Sequence, residues 1–215
     1  MPGLTDAGEI AVLDEIYNAG SGTFPAGNPY VALHTADPTD TGASAEVAGG
    51  SYARQQADFN AAGSGVTANA ANIDFVSMPA TTVVAWSIWD SVSAGVCFQT
   101  GWFSVLSAIG VVRSGDLAGN DIQSSAHGMT TDDRVVFEVV EGLTIPAGIT
   151  AGTLYFVLAA GLTTDVINIS TTSGGGEVDI TAAGSCIFRK VTPKVVNSGD
   201  TFRIAAGDLD ILATE

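Results

Sequence analysis

The chain has 215 residues, with 7 Lys+Arg against 23 Asp+Glu and a formal net charge of −16. So acidic a surface repels a phosphate backbone and anionic headgroups alike, which argues against nucleic-acid and membrane partners. Apolar residues reach 46% while charged ones stop at 14%, and Gly, Ala, Ser and Thr fill the difference, a mixture that favours short strands and tight turns over long amphipathic helices.

The first predicted element is a helix over residues 6–19. Asp6 and Glu9 form a capping-box pattern, Ile10, Leu13, Ile16 and Tyr17 recur at helical spacing, and Gly20 is a natural stop. So short a helix gains most of its stability by docking its apolar face on a sheet or a partner. The same N-terminal stretch has acids and neither a basic nor an apolar leader region. No signal peptide is therefore expected, and synthesis in the cytosol is. No apolar run approaches the ~18 residues of a membrane span.

Period two then takes over. Pro29 to His34 reads as a strand, Asp37-Pro38-Thr39-Asp40-Thr41-Gly42 as a turn, and Tyr52 to Phe59 as a second strand. Gly63 to Ala71 reads as a small-residue loop, and Ile73-Asp74-Phe75 as a third strand ending at Met78-Pro79. Val83 to Trp89 and Val96 to Trp102, joined by Ser93-Ala94-Gly95, read as a hairpin.

From about residue 104 the residue pattern changes. Strands are predicted at Arg134–Val139, Thr153–Leu158 and Val166–Ser170, with turn signals between them at the spacing of a small barrel or sandwich. After Pro193 the pattern of the first hundred residues returns through Val195-Val196, Thr201-Phe202-Arg203-Ile204 and Asp208-Leu209-Asp210-Ile211.

Few residues suggest chemistry. His34, Asp37 and Ser51 could make a triad, but no nucleophile-elbow pattern surrounds the serine, and a hydrogen-bonded turn histidine is the plainer reading. His127, in a polar loop, reads the same way. The pairs Asp37/Asp40, Asp132/Asp133 and Asp208/Asp210 could ligate calcium, but none has EF-hand spacing, so solvated turn carboxylates are expected. Gly174-Gly175-Gly176 lacks the Lys-Ser/Thr of a phosphate loop. Trp86, Trp89 and Trp102 are expected in the core, with a sugar-stacking platform as the alternative. Cys97 and Cys186 read as two buried free thiols, with a disulfide between them left open. The expected protein is therefore not an enzyme, with no catalytic residues, no metal and no cofactor.

Several segments together resemble a family of small virion proteins of tailed bacteriophages, labelled tail-fibre-like or minor structural proteins. They are Leu4-Thr5-Asp6-Ala7, Tyr30 to Gly42, Ser51-Tyr52-Ala53-Arg54-Gln55, Trp86-Ser87-Ile88-Trp89-Asp90 and Lys194 to Leu209. In that family the Phe98 to Trp102 strand would lead almost directly into Lys194. The block between resembles a second phage module through His127-Gly128-Met129, Leu143 to Ile149, Ala151 to Val157, and Ile169 to Gly175. Asp132-Asp133 departs from the module's usual Gly-Asp.

The resemblance implies a mainly β protein: a β-sandwich host domain, 1–103 plus 194–215, with a short N-terminal helix, and an inserted small β-barrel-like domain, 104–193. It implies a virion structural protein exposed on the particle, assembled as a homotrimer with other virion proteins. Head decoration (a cement protein on the capsid lattice, bound to the major capsid protein) is the first expectation. A tail-fibre or tail-tip component contacting a host receptor or glycan is the alternative.

Overall fold

A computed structural model describes residues 6–17, 28–113, 115–138 and 142–212, the side chains of 6–9, 11, 105–109 and 212 excepted. The protein is mainly β with one short helix, α1 (Asp6–Tyr17). The capping side chains of Asp6 and Glu9, the Gly20 stop and Val139 lie outside what is described. The chain divides into two compact units, Met1–Gly101 with Lys194–Glu215, and Trp102–Pro193.

Unit 1 holds β1 (Tyr30–His34), β2 (Gln55–Gln56), β3 (Val66–Ala68), β4 (Ile73–Phe75), β5 (Thr81–Val83), β6 (Ala85–Trp89) and most of β7 (Cys97–Trp102). A four-stranded sheet runs β2-β1-β6-β7. Two predicted elements differ. The strand expected over Tyr52–Phe59 shrinks to β2, with Phe59 reaching Asn69 only by an isolated bridge. The loop expected at Gly63–Ala71 contains β3. Its pattern is too short and too poor in bulky residues for alternation to show.

Beyond Pro193 come β15 (Lys194–Val196), β16 (Phe202–Ile204) and β17 (Asp210–Leu212), which pair antiparallel with β5, β4 and β3 in turn. Lys194 faces Val83 and Ile204 faces Ile73, so both chains advance ten residues in the same register. One extra residue enters before Asp210 meets Ala68. The three ribbons are thus one long antiparallel arm, broken where Met78 N–H donates to Asp200 O (2.9 Å) and Gly199 N–H to Met78 O (2.8 Å). Ile73, Phe75, Val83 and Ile211 lie buried along it.

Helix α1 docks within this unit. Leu13 and Tyr17 are buried, the Tyr17 ring lies 5.5 Å from Phe59, its hydroxyl donates to Gln99 Oε1 (2.8 Å), and Ala62 N–H donates to Asp14 Oδ1 (2.8 Å). Burial pushes the Tyr17 phenol well above its ordinary pKa.

Unit 2 is a single seven-stranded sheet. It comprises β8 (Ser104–Val112), β9 (Ile122–Gln123), β10 (Arg134–Glu138), β11 (Leu154–Val157), β12 (Val166–Ile167), β13 (Ile169–Ser170) and β14 (Gly184–Val191), in the order β12-β9-β8-β14-β10-β11-β13. Its two end strands are consecutive in the chain and separated only by Asn168, so the sheet closes on itself into a near-complete barrel. Phe137, Phe188, Ile122, Ile167, Ile169 and Ile180 fill it, each at most 1% exposed, with Phe137 against Tyr155 (5.6 Å) and Phe188 (5.7 Å).

The two longest strands, β8 and β14, lie outside the predicted ones. Ser104–Gly110 reads as a junction because it is rich in small residues. Gly184–Val191 hides its alternation behind Arg189-Lys190, whose side chains are half-exposed while Cys186, Phe188 and Val191 point inward. These strands pair with each other from Gly184 opposite Val112 to Val191 opposite Ser104, and Thr192 N–H donates to Phe103 O (2.6 Å). The chain therefore enters and leaves unit 2 on adjacent strands. Cys97 and Cys186 are free thiols, the first half-buried in unit 1 and the second buried in unit 2, where burial raises its pKa to about 11.

Candidate functional site

The polar groups gathered in unit 1 surround the β1–β6 pair. His34, the last residue of β1, is 0% exposed. Trp89 Nε1 can only donate, and it donates to Ser87 Oγ (2.7 Å). The Ser87 hydroxyl proton then goes to His34 Nε2 (2.7 Å), which leaves Nδ1–H to donate to Ser44 O (2.8 Å). This chain of bonds requires a neutral imidazole. Burial, opposed by the Ser44 carbonyl and the Glu46 carboxylate, holds its pKa below the ordinary 6.5.

A hydroxyl 2.7 Å from a histidine is the geometry of an activated nucleophile, but Ser87 is itself 0% exposed and no substrate can reach it. The triad suggested by the sequence is not assembled. Ser51 is exposed, and Asp37 Oδ1 accepts the backbone N–H of Thr39 (2.8 Å), capping its own turn.

Arg54 is the second buried polar element. Its guanidinium grips Glu46 through Nε (3.0 Å) and Nη2 (2.8 Å) and donates from Nη1 to the carbonyls of Ser91 (3.3 Å) and Ala94 (2.8 Å). It also lies 3.6 Å from the centre of the Trp89 ring. Only the planar five-donor fork of arginine can serve a carboxylate, two carbonyls and an aromatic face together. Tyr52 completes the group, accepting from Leu33 N–H (2.9 Å), donating to Glu46 Oε1 (3.2 Å) and stacking on Phe75 at 6.0 Å. A lone basic residue within a predicted strand gives no such signal in sequence.

Trp86 and Trp89 are 8% and 4% exposed, so neither presents a face to a sugar. A Cβ at Gly101 would sit 2.3 Å from the Trp86 ring, so the glycine lets that ring lie flat across β7. Trp102 is half-buried.

In unit 2, His127 is 3% exposed, with Nε2 on Thr163 O (2.9 Å) and Nδ1 accepting Met129 N–H (2.9 Å), a turn histidine in its bonding. Asp133 takes the ammonium of Lys190 (2.6 Å), and Asp132 takes the Ser173 hydroxyl (2.7 Å). A recess of about 400 Å³ lies beside them, bounded by Thr131, Val157, Leu158, Gly174 and Glu177. Among the described residues no three His, Cys, Asp or Glu side chains gather as a metal site, and no helix is long and apolar enough to cross a membrane.

Each described histidine, and Arg54 with Glu46, is thus bonded within its own unit. The family comparison identifies the class as the structural proteins of tailed-phage virions. More particularly, the chain belongs to the family described as podophage GP4 fiber I protein gp80, matched over residues 3–126. That span is more than half of the chain, covers the first segment of unit 1 from Gly3 onward, and runs into unit 2 as far as Ala126. No curated protein matches the chain.

Proposed function

We propose that this chain is a non-enzymatic fibre component of the phage particle, in which unit 1 is the packing body and unit 2 a module inserted between β7 and β15. The observation that carries this reading is the β8–β14 pairing. A module whose two ends are neighbouring strands can be carried by a host fold with little closure entropy. The large apolar side chains left exposed also favour unit 1 as the contact surface. Among the described residues Val12, Val76, Val92, Val96 and Val195 lie there, whereas unit 2 exposes Leu143. The expected assembly is a homotrimer bound to other virion proteins.

The sequence by itself puts head decoration first. The fibre description of the matched family supports placement in the tail instead, where unit 2 would face the host surface. Copy number in purified particles, by quantitative mass spectrometry, separates the two. A handful of copies supports the fibre, and hundreds would return the protein to the capsid lattice. The domain reading has its own test. Deleting 104–191 and joining Phe103 to Thr192 through Asn-Gly should leave a soluble protein that melts cooperatively. An insoluble product would count against insertion.

A further inference from the structure

At one rim of the unit 2 barrel, the segment closing the sheet meets the turn before β9. Residues Leu117–Gly119 form a single 3₁₀ turn, and Asn120 ends it at φ +51°, in the left-handed region that asparagine tolerates. The carbonyls of Gly119 and Asn120 there lie 2.6 and 3.2 Å from one atom, Asn168 Nδ2. Asp121 Oδ1 (3.2 Å) and Glu177 Oε1 (2.7 Å) lie around the same atom. Four oxygens therefore surround a nitrogen that has two hydrogens to give.

The cradle is held from outside. Asn120 Nδ2 donates to Glu177 Oε2 (3.1 Å), and Asn120 Oδ1 accepts Ile180 N–H (2.7 Å). A Cβ at Gly119 would come within 2.8 Å of Asp121 Oδ2, so the absence of a side chain there leaves the carboxylate room in its present place. The cation pairs of unit 2 lie elsewhere, at Arg189–Glu138 and Lys190–Asp133. Among the described residues neither Asp121 nor Glu177 pairs with Lys, Arg or His.

An independent sign comes from Asn168 itself. The residue is 1% exposed, its amide is seated among these oxygens, and its Oδ1 is buried with no hydrogen-bond partner. A buried carbonyl left without a partner is destabilising, so its retention calls for a reason. Rotating the amide would put Oδ1 among four other oxygens, an arrangement that only a cation makes favourable.

The geometry points to a calcium site in which the amide nitrogen occupies the cation's place when the ion is absent. The ligands are the Gly119 and Asn120 carbonyls, the Asp121 and Glu177 carboxylates and, after rotation, Asn168 Oδ1. Five oxygen-bearing groups, two of them able to bind through both oxygens, suit the six to eight oxygens that calcium takes in flexible geometry. Magnesium demands a near-ideal octahedron and keeps its waters, which this irregular set does not offer. With two carboxylates and partial exposure the site fits the weak class, with Kd on the order of 10⁻⁴–10⁻³ M. The ion would clamp the turn before β9 to the segment that closes the barrel.

Calorimetric titration of the full chain with calcium chloride should show one ion bound per chain, and calcium should raise the melting temperature of unit 2. The Asn168 side-chain amide resonances should move as its hydrogen bonds are exchanged for the ion. Combined Asp121→Asn and Glu177→Gln substitution should abolish all three effects. Asp37→Asn with Asp40→Asn should leave them intact. Far-UV circular dichroism verifies that each variant is folded, and Glu177→Gln alone, at an exposed position, should weaken binding at least tenfold. No heat and no shift at 10 mM calcium, equal affinity for magnesium, or undiminished binding in the double variant would each overturn the assignment.

Discussion

The two units solve the problem of a small β-protein differently. Unit 2 is contiguous in sequence, closes its sheet, and relies on thirteen buried residues, nearly all aliphatic or aromatic, with Cys186 among them. Unit 1 is split by the whole of unit 2, pairs β17 with β3 across more than 140 residues, and inserts His34, Ser87, Arg54 and Glu46 between its apolar layers. A contiguous barrel can be specified largely by apolar volume, with buried polar residues such as His127 and Asn168 holding single turns. A discontinuous fold with short ribbons needs directional groups that accept one register and no other. Before β15–β17 can dock, unit 1 must also bear the closure entropy of a long loop, which shrinks once unit 2 has folded.

This contrast can be broken at its strongest point first. Phe137→Ala should cost about 3–5 kcal/mol through the cavity it leaves in the barrel. The loss should fall on the unit 2 transition in calorimetry while unit 1 signals, such as Trp89 fluorescence, persist. Simultaneous melting of both would mean that the units are one cooperative body.

Arg54→Ala should cost about 3 kcal/mol in unit 1, because it strands Glu46, unties the Ser91 and Ala94 carbonyls and bares Trp89. Arg54→Lys should recover little of this, since an ammonium cannot form the fork. Full recovery in chemical denaturation would reduce the site to a simple charge pair.

Acid should then separate the units by degree. The unfolded chain protonates His34 near pH 6.5, and the folded chain resists it because of burial. Unfolded chains therefore bind more protons in that window, and unit 1 stability should fall as pH drops below 6.5 toward the depressed folded value. The urea midpoint of unit 1 should show this slope, and His34→Gln should flatten it. The Lys190 and Thr130 bonds to Asp133 hold that carboxyl below its ordinary 3.8 despite burial, so its contribution is lost only in stronger acid. The smallest effect is expected at Asp74–Arg203 on the arm. The pair is bidentate but exposed, and Arg203→Ala should leave the melting temperature of unit 1 nearly unchanged.

Legibility in the sequence follows the same division. Alternation reveals β1, β4, β10, β11 and the β6–β7 hairpin because bulky residues mark their buried faces. It fails at β8 and β14, where small residues or paired cations cover the period, and at β3, which is three residues long. Both histidines are bonded residues, as their sequence context suggests, yet nothing in the sequence singles out Ser87 as the partner of His34. That contact depends on Leu33 facing Trp86 and His34 facing Ala85 in register, which only pairing decides. Arg54 and Asn168 stay hidden for a related reason. A polar residue inside a fold is defined by what surrounds it, and its surroundings come from distant segments.

Closure of the barrel at Asn168 bears on crowding. A sheet whose first and last strands are the same stretch of backbone has no free edge at that seam, so a neighbour finds no row of vacant amides and carbonyls there. The long strand β8 differs, because the two-residue β9 meets it at Val111 opposite Gln123 and leaves most of its outer side uncovered by that strand. Adhesion at the seam must run through side chains, which selection can tune one residue at a time.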